Sequence, residues 1–254
     1  MVIRLLLLLL LFSCSTSLIK EEPSSIKFEN AMKYIDDSKY SRAIDELEYL
    51  LLVDPLSEYA NEAQYYIAES YYNLNNFPKS IEEFEKYLSQ RFLSNELLKK
   101  SQLLLCKSYF NISLDYNKDQ TGTYIAIEKL QYFIEKESML EYLDEIEQMI
   151  LELRTKLAKK NFHTAKLYER LEELDSAVIY YNTIIKEFYD TKFVNQSLMN
   201  ISIIYFIDNK NKSISYLENH KNSFDSIDDY NSAVILIDNL ESDQEIEYYI
   251  DQLK

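Results

Sequence analysis

Glycine is almost absent from this chain: Gly122 is the only one among 254 residues, and proline occurs three times, at Pro23, Pro55 and Pro78. Sheet proteins draw on glycine for hairpin turns, bulges and positive φ angles. Without that supply a β architecture is excluded, and helices joined by short polar turns remain. Tryptophan is missing altogether, and histidine is confined to His163 and His220. Neither histidine has a second ligand at helical spacing or a cysteine beside it, so no metal site is expected. Glycine-rich phosphate loops are absent, and no Ser–His–Asp set can be assembled with reason. Neither a cofactor nor catalysis is therefore expected. Carboxylates such as Glu82, Glu83 and Glu85 are spaced as solvated helix faces. Cys106 reads as a packed core thiol, because free cysteine behaves as a small hydrophobe.

Basic residues are also scarce. Lys and Arg number 27 against 43 Asp and Glu, a formal charge of −16. Loss of residues 1–13 would remove Arg4 and leave 26 − 43 = −17. Such a field repels phosphate, so nucleic acid is not an expected partner.

What is present begins at the N-terminus. Met1 to Arg4 is a short positive segment, and Leu5 to Phe12 is an unbroken apolar run. The run is far below the ~20 residues that cross a bilayer as a helix, and it reads as a secretory signal peptide over residues 1–13. Leu11-Phe12-Ser13-Cys14 resembles a bacterial lipobox, in which the cysteine thiol takes diacylglycerol and becomes the first mature residue. Ser15 stands where lipoproteins kept in the inner membrane often carry Asp, so the resemblance implies an anchor in the outer membrane. Residues 14–25 hold Pro23, four serines and no apolar period. They read as a tether spanning at most about 35 Å.

The remainder repeats. A small residue followed three positions later by tyrosine recurs as Ala31–Tyr34, Ala68–Tyr71, Cys106–Tyr109, Ala165–Tyr168 and Ser202–Tyr205. Nine residues beyond four of these tyrosines lie Ala43, Ser80, Ala177 and Ile214. Four further on come Leu47, Phe84, Tyr181 and Glu218, the last breaking the pattern beside Leu217. Positions i and i+3 share a helix face, so each small residue lets a partner backbone approach while the tyrosine fills the space beside it. One such pair cannot bury its apolar face alone, and stacking closes the core. The pattern resembles the tetratricopeptide repeat, whose usual period is about 34 residues. It predicts an all-α solenoid of about five helical hairpins over residues 26–225. A polar loop is expected over 111–123, one long helix over 139–171, and a closing helix within 226–254.

Three stretches resemble a particular family. They are Phe28-Glu-Asn-Ala-Met-Lys-Tyr through Ala43-Ile-Asp-Glu-Leu-Glu; Asp119-Gln-Thr with Ala126-Ile127 and Phe133-Ile134; and Leu153-Arg154 through Leu157-Ala158, Phe162, Ala165 and Tyr168 to Phe188-Tyr-Asp-Thr191. Together these are similar to the BamD family, lipoproteins of the outer-membrane β-barrel assembly machinery built from five tetratricopeptide repeats. Tyr189 stands where the family usually has proline, Glu173 replaces a usual turn glycine, and the likeness fades after residue 200.

The resemblance implies a periplasmic, lipid-anchored scaffold whose partners are a BamA-like barrel protein and unfolded outer-membrane proteins. In such stacks the first helix of each pair lines the inner groove. On that face lie Phe28, Met32 and Ile35 in unit one, and Tyr65, Glu69, Tyr72 and Asn73 in unit two. Either the tether or a capping segment covers this apolar stripe, or it holds an extended, aromatic-ending peptide; tyrosine suits the last role. The same face of unit four carries Lys159, Phe162, Lys166, Glu169 and Arg170, a basic patch on an acidic protein. The family's docking of BamA by its C-terminal repeats implies a contact there, with Asp115 and Asp119 in the long loop. A plain solvated helix face is the other reading. Other lipid-anchored tetratricopeptide adaptors, serving cell-wall or lipoprotein traffic, are the alternative class. A helical hydrolase would need a convergent acid pair, and none is visible.

Overall fold

The computed structural model describes residues 22–136 and 140–240. The expected signal peptide, Cys14, the tether before residue 22 and the tail beyond Leu240 lie outside the described residues.

Eleven α-helices and no strand occur among the described residues. Ten of them form five antiparallel hairpins: α1 (Ser24–Asp36) with α2 (Tyr40–Val53), α3 (Ala60–Asn73) with α4 (Phe77–Leu88), α5 (Asn95–Asn111) with α6 (Thr121–Lys136), α7 (Leu143–Arg170) with α8 (Leu174–Glu187), and α9 (Phe193–Asp208) with α10 (Lys210–Asn219). Helix α11 (Ile227–Asn239) packs on α9 and α10. Each helix packs chiefly against its neighbours in sequence, which makes the architecture an all-α solenoid. No described helix is long and apolar enough to cross a membrane.

The small residues sit where close approach requires them. Ala31, Ala68, Cys106, Ala165 and Ser202 are fully buried, as are Ala43, Ser80, Ala126 and Ala177 on the return helices. In unit two the Ser80 hydroxyl donates to the Ala68 carbonyl at 3.1 Å, tying one small position to the other. Unit five makes the same bond from Ser213 to the Ser202 carbonyl at 2.7 Å. The return-helix small residue there is therefore Ser213, and Ile214, expected in that place, is only half-buried. Counting four on from Ser213 reaches the fully buried Leu217, equivalent to Leu47, Phe84 and Tyr181, and not Glu218. The fifth unit is regular, with its turn shortened by one residue.

The turns explain that missing residue. In units one, two and four the first helix closes on a left-handed residue: Ser38 (φ 58°), Asn75 (φ 57°) and Glu172 (φ 61°). The next N–H reaches back to the repeat tyrosine's carbonyl, Lys39 to Tyr34 at 2.7 Å, Asn76 to Tyr71 at 2.9 Å and Glu173 to Tyr168 at 3.0 Å. This six-residue closure is the Schellman motif, usually built on glycine. The left-handed position in unit four is thus Glu172, not Glu173. Unit five lacks such a residue; extended Asn209 links α9 to α10 and accepts from the Asn211 N–H.

In unit three the turn grows to nine residues, 112–120. Gln120 donates to the Asp115 and Lys118 carbonyls, and Asp119 caps the Thr121 N–H at 3.0 Å. Gly122 packs against this loop: a Cβ there would lie 3.3 Å from the Ile112 carbonyl oxygen. Helix α7 follows with 28 residues, about 42 Å at 1.5 Å per residue. Its Ile146, Met149 and Leu153 complete the core of units two and three, and its Leu157, Ala158 and Ala165 belong to the core of units four and five.

Candidate functional site

The two expected stretches of the groove differ in how open they are. In units one and two, Phe28 of α1 stacks on Tyr59 with ring centroids 4.9 Å apart, and Tyr66 approaches to 6.0 Å. Phe28 and Met32 lean on the buried Ala31, Leu47 and Ile67. Much of the apolar stripe of unit one is therefore covered by unit two itself. Tyr65 departs from expectation: it is 2 % exposed, wedged among Tyr66, Phe84 and Tyr87. Its hydroxyl donates to Glu69 at 3.0 Å, and burial raises the Glu69 carboxyl above its ordinary range. Met32, Ile35 and Tyr72 are half-buried and Asn73 is exposed, so these remain reachable. Tyr72 leans on Phe77 at 5.7 Å.

The stretch along α7 is more open. A cleft of about 490 Å³ lies between α7, α9 and α11, with Phe162, Lys166, Met199, Asn200 and Phe224 in its wall. Further toward the start of α7, a cleft of about 530 Å³ is walled by Phe110, Tyr116, Lys156, Lys159, Lys192 and Phe193, with Asp115 and Glu152 at its side. Phe162 and Phe193, 5.3 Å apart, separate the two.

Their electrostatics differ. In the first cleft Lys166 Nζ lies 3.0 Å from Glu169 Oε2, with side chains only 15 % and 10 % exposed. The Nζ makes no well-directed hydrogen bond, so the contact is an ion pair alone. Burial pushes the Lys166 ammonium below its usual range, with Glu169 opposing that shift. Glu169 also accepts from Tyr181 at 2.7 Å, and the Tyr181 oxygen accepts from Asn200 at 2.8 Å. This chain of four polar groups holds α7, α8 and α9 in register. In the second cleft Lys159 sits 4.2 Å from the Tyr116 ring centre, and Lys192 5.7 Å from that of Phe193. Among the described residues neither has a carboxylate within ion-pair distance. Their ammonium hydrogens are free for a ligand, while the rings beneath hold the charges in place.

Of the residues expected in this region, Lys159, Phe162, Lys166 and Asp115 line the clefts, with Glu169 just behind Lys166. Arg170 is exposed at the end of α7, and Asp119 is spent on capping α6. Tyr59, Tyr116, Lys192, Phe193 and Asn200 were not singled out from sequence. A signal for two of them exists. Tyr59 and Phe193 each precede a repeat small residue by nine positions, Ala68 and Ser202. Each packs against the aromatic three before the previous unit's small residue, Phe28 before Ala31 and Phe162 before Ala165.

An all-α helical-repeat protein with two lysine-lined clefts is the class that the fold and these sites define. Residues 20–218 match the model of the YfiO family, described as outer membrane lipoprotein, and the chain belongs to that family. This is also known as the BamD family. The matched span takes in all five hairpins, to within one residue of the end of α10, and begins after Cys14. No curated protein matches. Among solved structures the chain is similar to the apo form of RapI, with 13 % identity, a TM-score of 0.36, and coverage of 89 % of this chain and 62 % of that one.

Proposed function

We propose that this protein is a BamD-type scaffold of outer-membrane β-barrel assembly, working by binding and not by catalysis. Residues 1–13 are its signal peptide and residues 14–25 its tether. Lipidated Cys14 holds it to the periplasmic face of the outer membrane. The lysine-lined cleft along α7 receives the periplasmic domains of a BamA-like barrel protein, and Met32, Ile35, Tyr72 and Asn73 meet unfolded barrel precursors. The observation that carries this reading is the family match across the whole five-hairpin stack. Support for the placement comes from the cleft itself. On a chain of charge −16, two unpaired lysines over aromatic rings form a local site for an acidic partner segment.

The test is a mild-detergent pull-down of the tagged lipoprotein from its native membranes, with partners identified by mass. A large outer-membrane barrel protein with periplasmic repeat domains is the expected product, and Lys159→Glu with Lys192→Glu should reduce its recovery. Both positions avoid the buried Lys166–Glu169 pair, whose reversal would disturb the fold. Recovery of cell-wall or lipoprotein-transport components in its place would substitute the general adaptor.

A further inference from the structure

Every first helix begins, and every return helix ends, on one edge of the stack, and side-chain links mark that edge. Ser24 donates to Asp54 at 2.7 Å, Asn61 to the Arg91 carbonyl at 3.2 Å, and Asn195 to Asp225 at 3.0 Å. Lys99 and Glu141 pair across the same edge at 3.0 Å. The connections after units one and two, together with the last turn of α2, carry the three most exposed large apolar side chains among the described residues: Phe92 at 96 % and Leu56 at 94 % in the connections, and Leu52 at 79 % in the helix end. Phe92 is also held in the left-handed region at φ 61°, a conformation that disfavours a bulky side chain. At 96 % exposure it gains no packing in return. A strained backbone that presents a bare aromatic ring to solvent points to something outside the chain that takes the ring.

The location says what that is. Helix α1 starts at Ser24 on this edge, and Ser24 is bonded to Asp54, two residues from Leu56. Ser24 lies ten positions beyond Cys14 (24 − 14 = 10), so a lipid on Cys14 lies within about 35 Å of the edge even with that segment fully extended. We propose that the edge formed by the connections of units one and two rests on the lipid surface, with Phe92 and Leu56 inserted among the headgroups. This rests on the lipid-anchored reading above. Phe and Leu on an anchored protein add buried apolar area, and Arg91 beside Phe92 sits at the height of the lipid phosphates. The acyl chains hold the molecule; the two loops set which way it faces. The opposite edge, where Leu171 lies in a hairpin turn, stays in water.

The chain has no tryptophan, so a single introduced indole reports its own surroundings. Full-length lipoprotein carrying Phe92→Trp, and separately Leu171→Trp, is reconstituted on phosphatidylethanolamine–phosphatidylglycerol vesicles with brominated acyl chains. Flotation of each, against Cys14→Ala, is read first. The proposal expects the lipoprotein to float and the Phe92→Trp indole to shift to the blue and lose most of its emission to the brominated lipid. The Leu171→Trp indole should stay open to aqueous acrylamide. If the protein floats while both indoles are quenched by acrylamide alike, edge contact is overturned and the anchor stands. A lipoprotein that stays in solution overturns the anchor and the edge contact with it.

Discussion

Glu172 is held at φ 61° by the closure of α7 onto the Tyr168 carbonyl, a conformation in which glycine alone escapes the Cβ clash. Its side chain is exposed. Glu172→Gly should therefore raise stability by about 0.5–1 kcal/mol, after the glycine's greater unfolded-state freedom is set against the relief. Denaturant midpoints at unchanged slope check this. The gain at Asn75→Gly should be smaller, because asparagine tolerates the left-handed region. Tyr181 is the opposite case, fully buried and bonded to both Glu169 and Asn200. Tyr181→Phe keeps the packing but strands the buried Asn200 amide and leaves Glu169 with Lys166 alone, at a cost of about 1–3 kcal/mol. An unchanged denaturant midpoint would show that the Glu169–Tyr181–Asn200 chain does not hold the three helices in register.

At the scale of helices and turns, the hairpins were legible in the sequence because their rule is one of spacing. A small residue and a tyrosine three apart place five first helices, and all five small residues are fully buried. The long α7 was legible because nothing interrupts its apolar period. The register of unit five was not. A turn one residue shorter moves every later position by one, and apolar Ile214 beside Ser213 disguises the shift. With the spacing already pointing to Ile214, Ser213 reads as its polar neighbour until its hydroxyl is seen bonded to the Ser202 carbonyl. Substitution separates the two registers. Ser213→Leu should overpack the α9–α10 contact and cost about 1–3 kcal/mol, whereas Ile214→Leu should cost under about 1.5 kcal/mol. Thermal unfolding of the two variants side by side is sufficient, and equal losses would restore the register read from sequence.

For the whole molecule, buried acids with raised pKa values dominate the alkaline limit. Burial pushes the Cys106 thiol up to about 12 and raises the Tyr65, Tyr109, Tyr181 and Tyr216 phenols. Each binds its proton more tightly folded than unfolded. The stability this contributes is complete below the ordinary values, 9.0 for the thiol and 10.0 for the phenols, and is lost as pH rises past them. Unfolding free energy should fall steeply above pH 10, and the native Cys106 should resist thiol reagents at pH 8 until the protein is denatured.

The candidate site was legible only as one face of one helix. Lys159, Phe162 and Lys166 follow helical spacing along α7, but Tyr116 comes from the unit-three loop, Lys192 from the connection before α9 and Phe193 from α9 itself. Local periodicity carries no information about which side chains the stacking of separate units brings opposite one another. Burial of Tyr65 was hidden for the same reason, since α3 alone does not tell which side of its tyrosine ladder faces α4. The docking of a barrel protein's periplasmic domains proposed for the cleft shared by α7 and α9 is open to direct trial. Its most direct test is a photo-crosslinking amino acid placed at Lys159, at Lys192 and, on the outer helix α8, at the exposed Ile179, each in the full lipoprotein in native membranes. Adducts to one large outer-membrane barrel protein are expected from the first two positions and none from the third. Adducts from Ile179 with none from the cleft would contradict it.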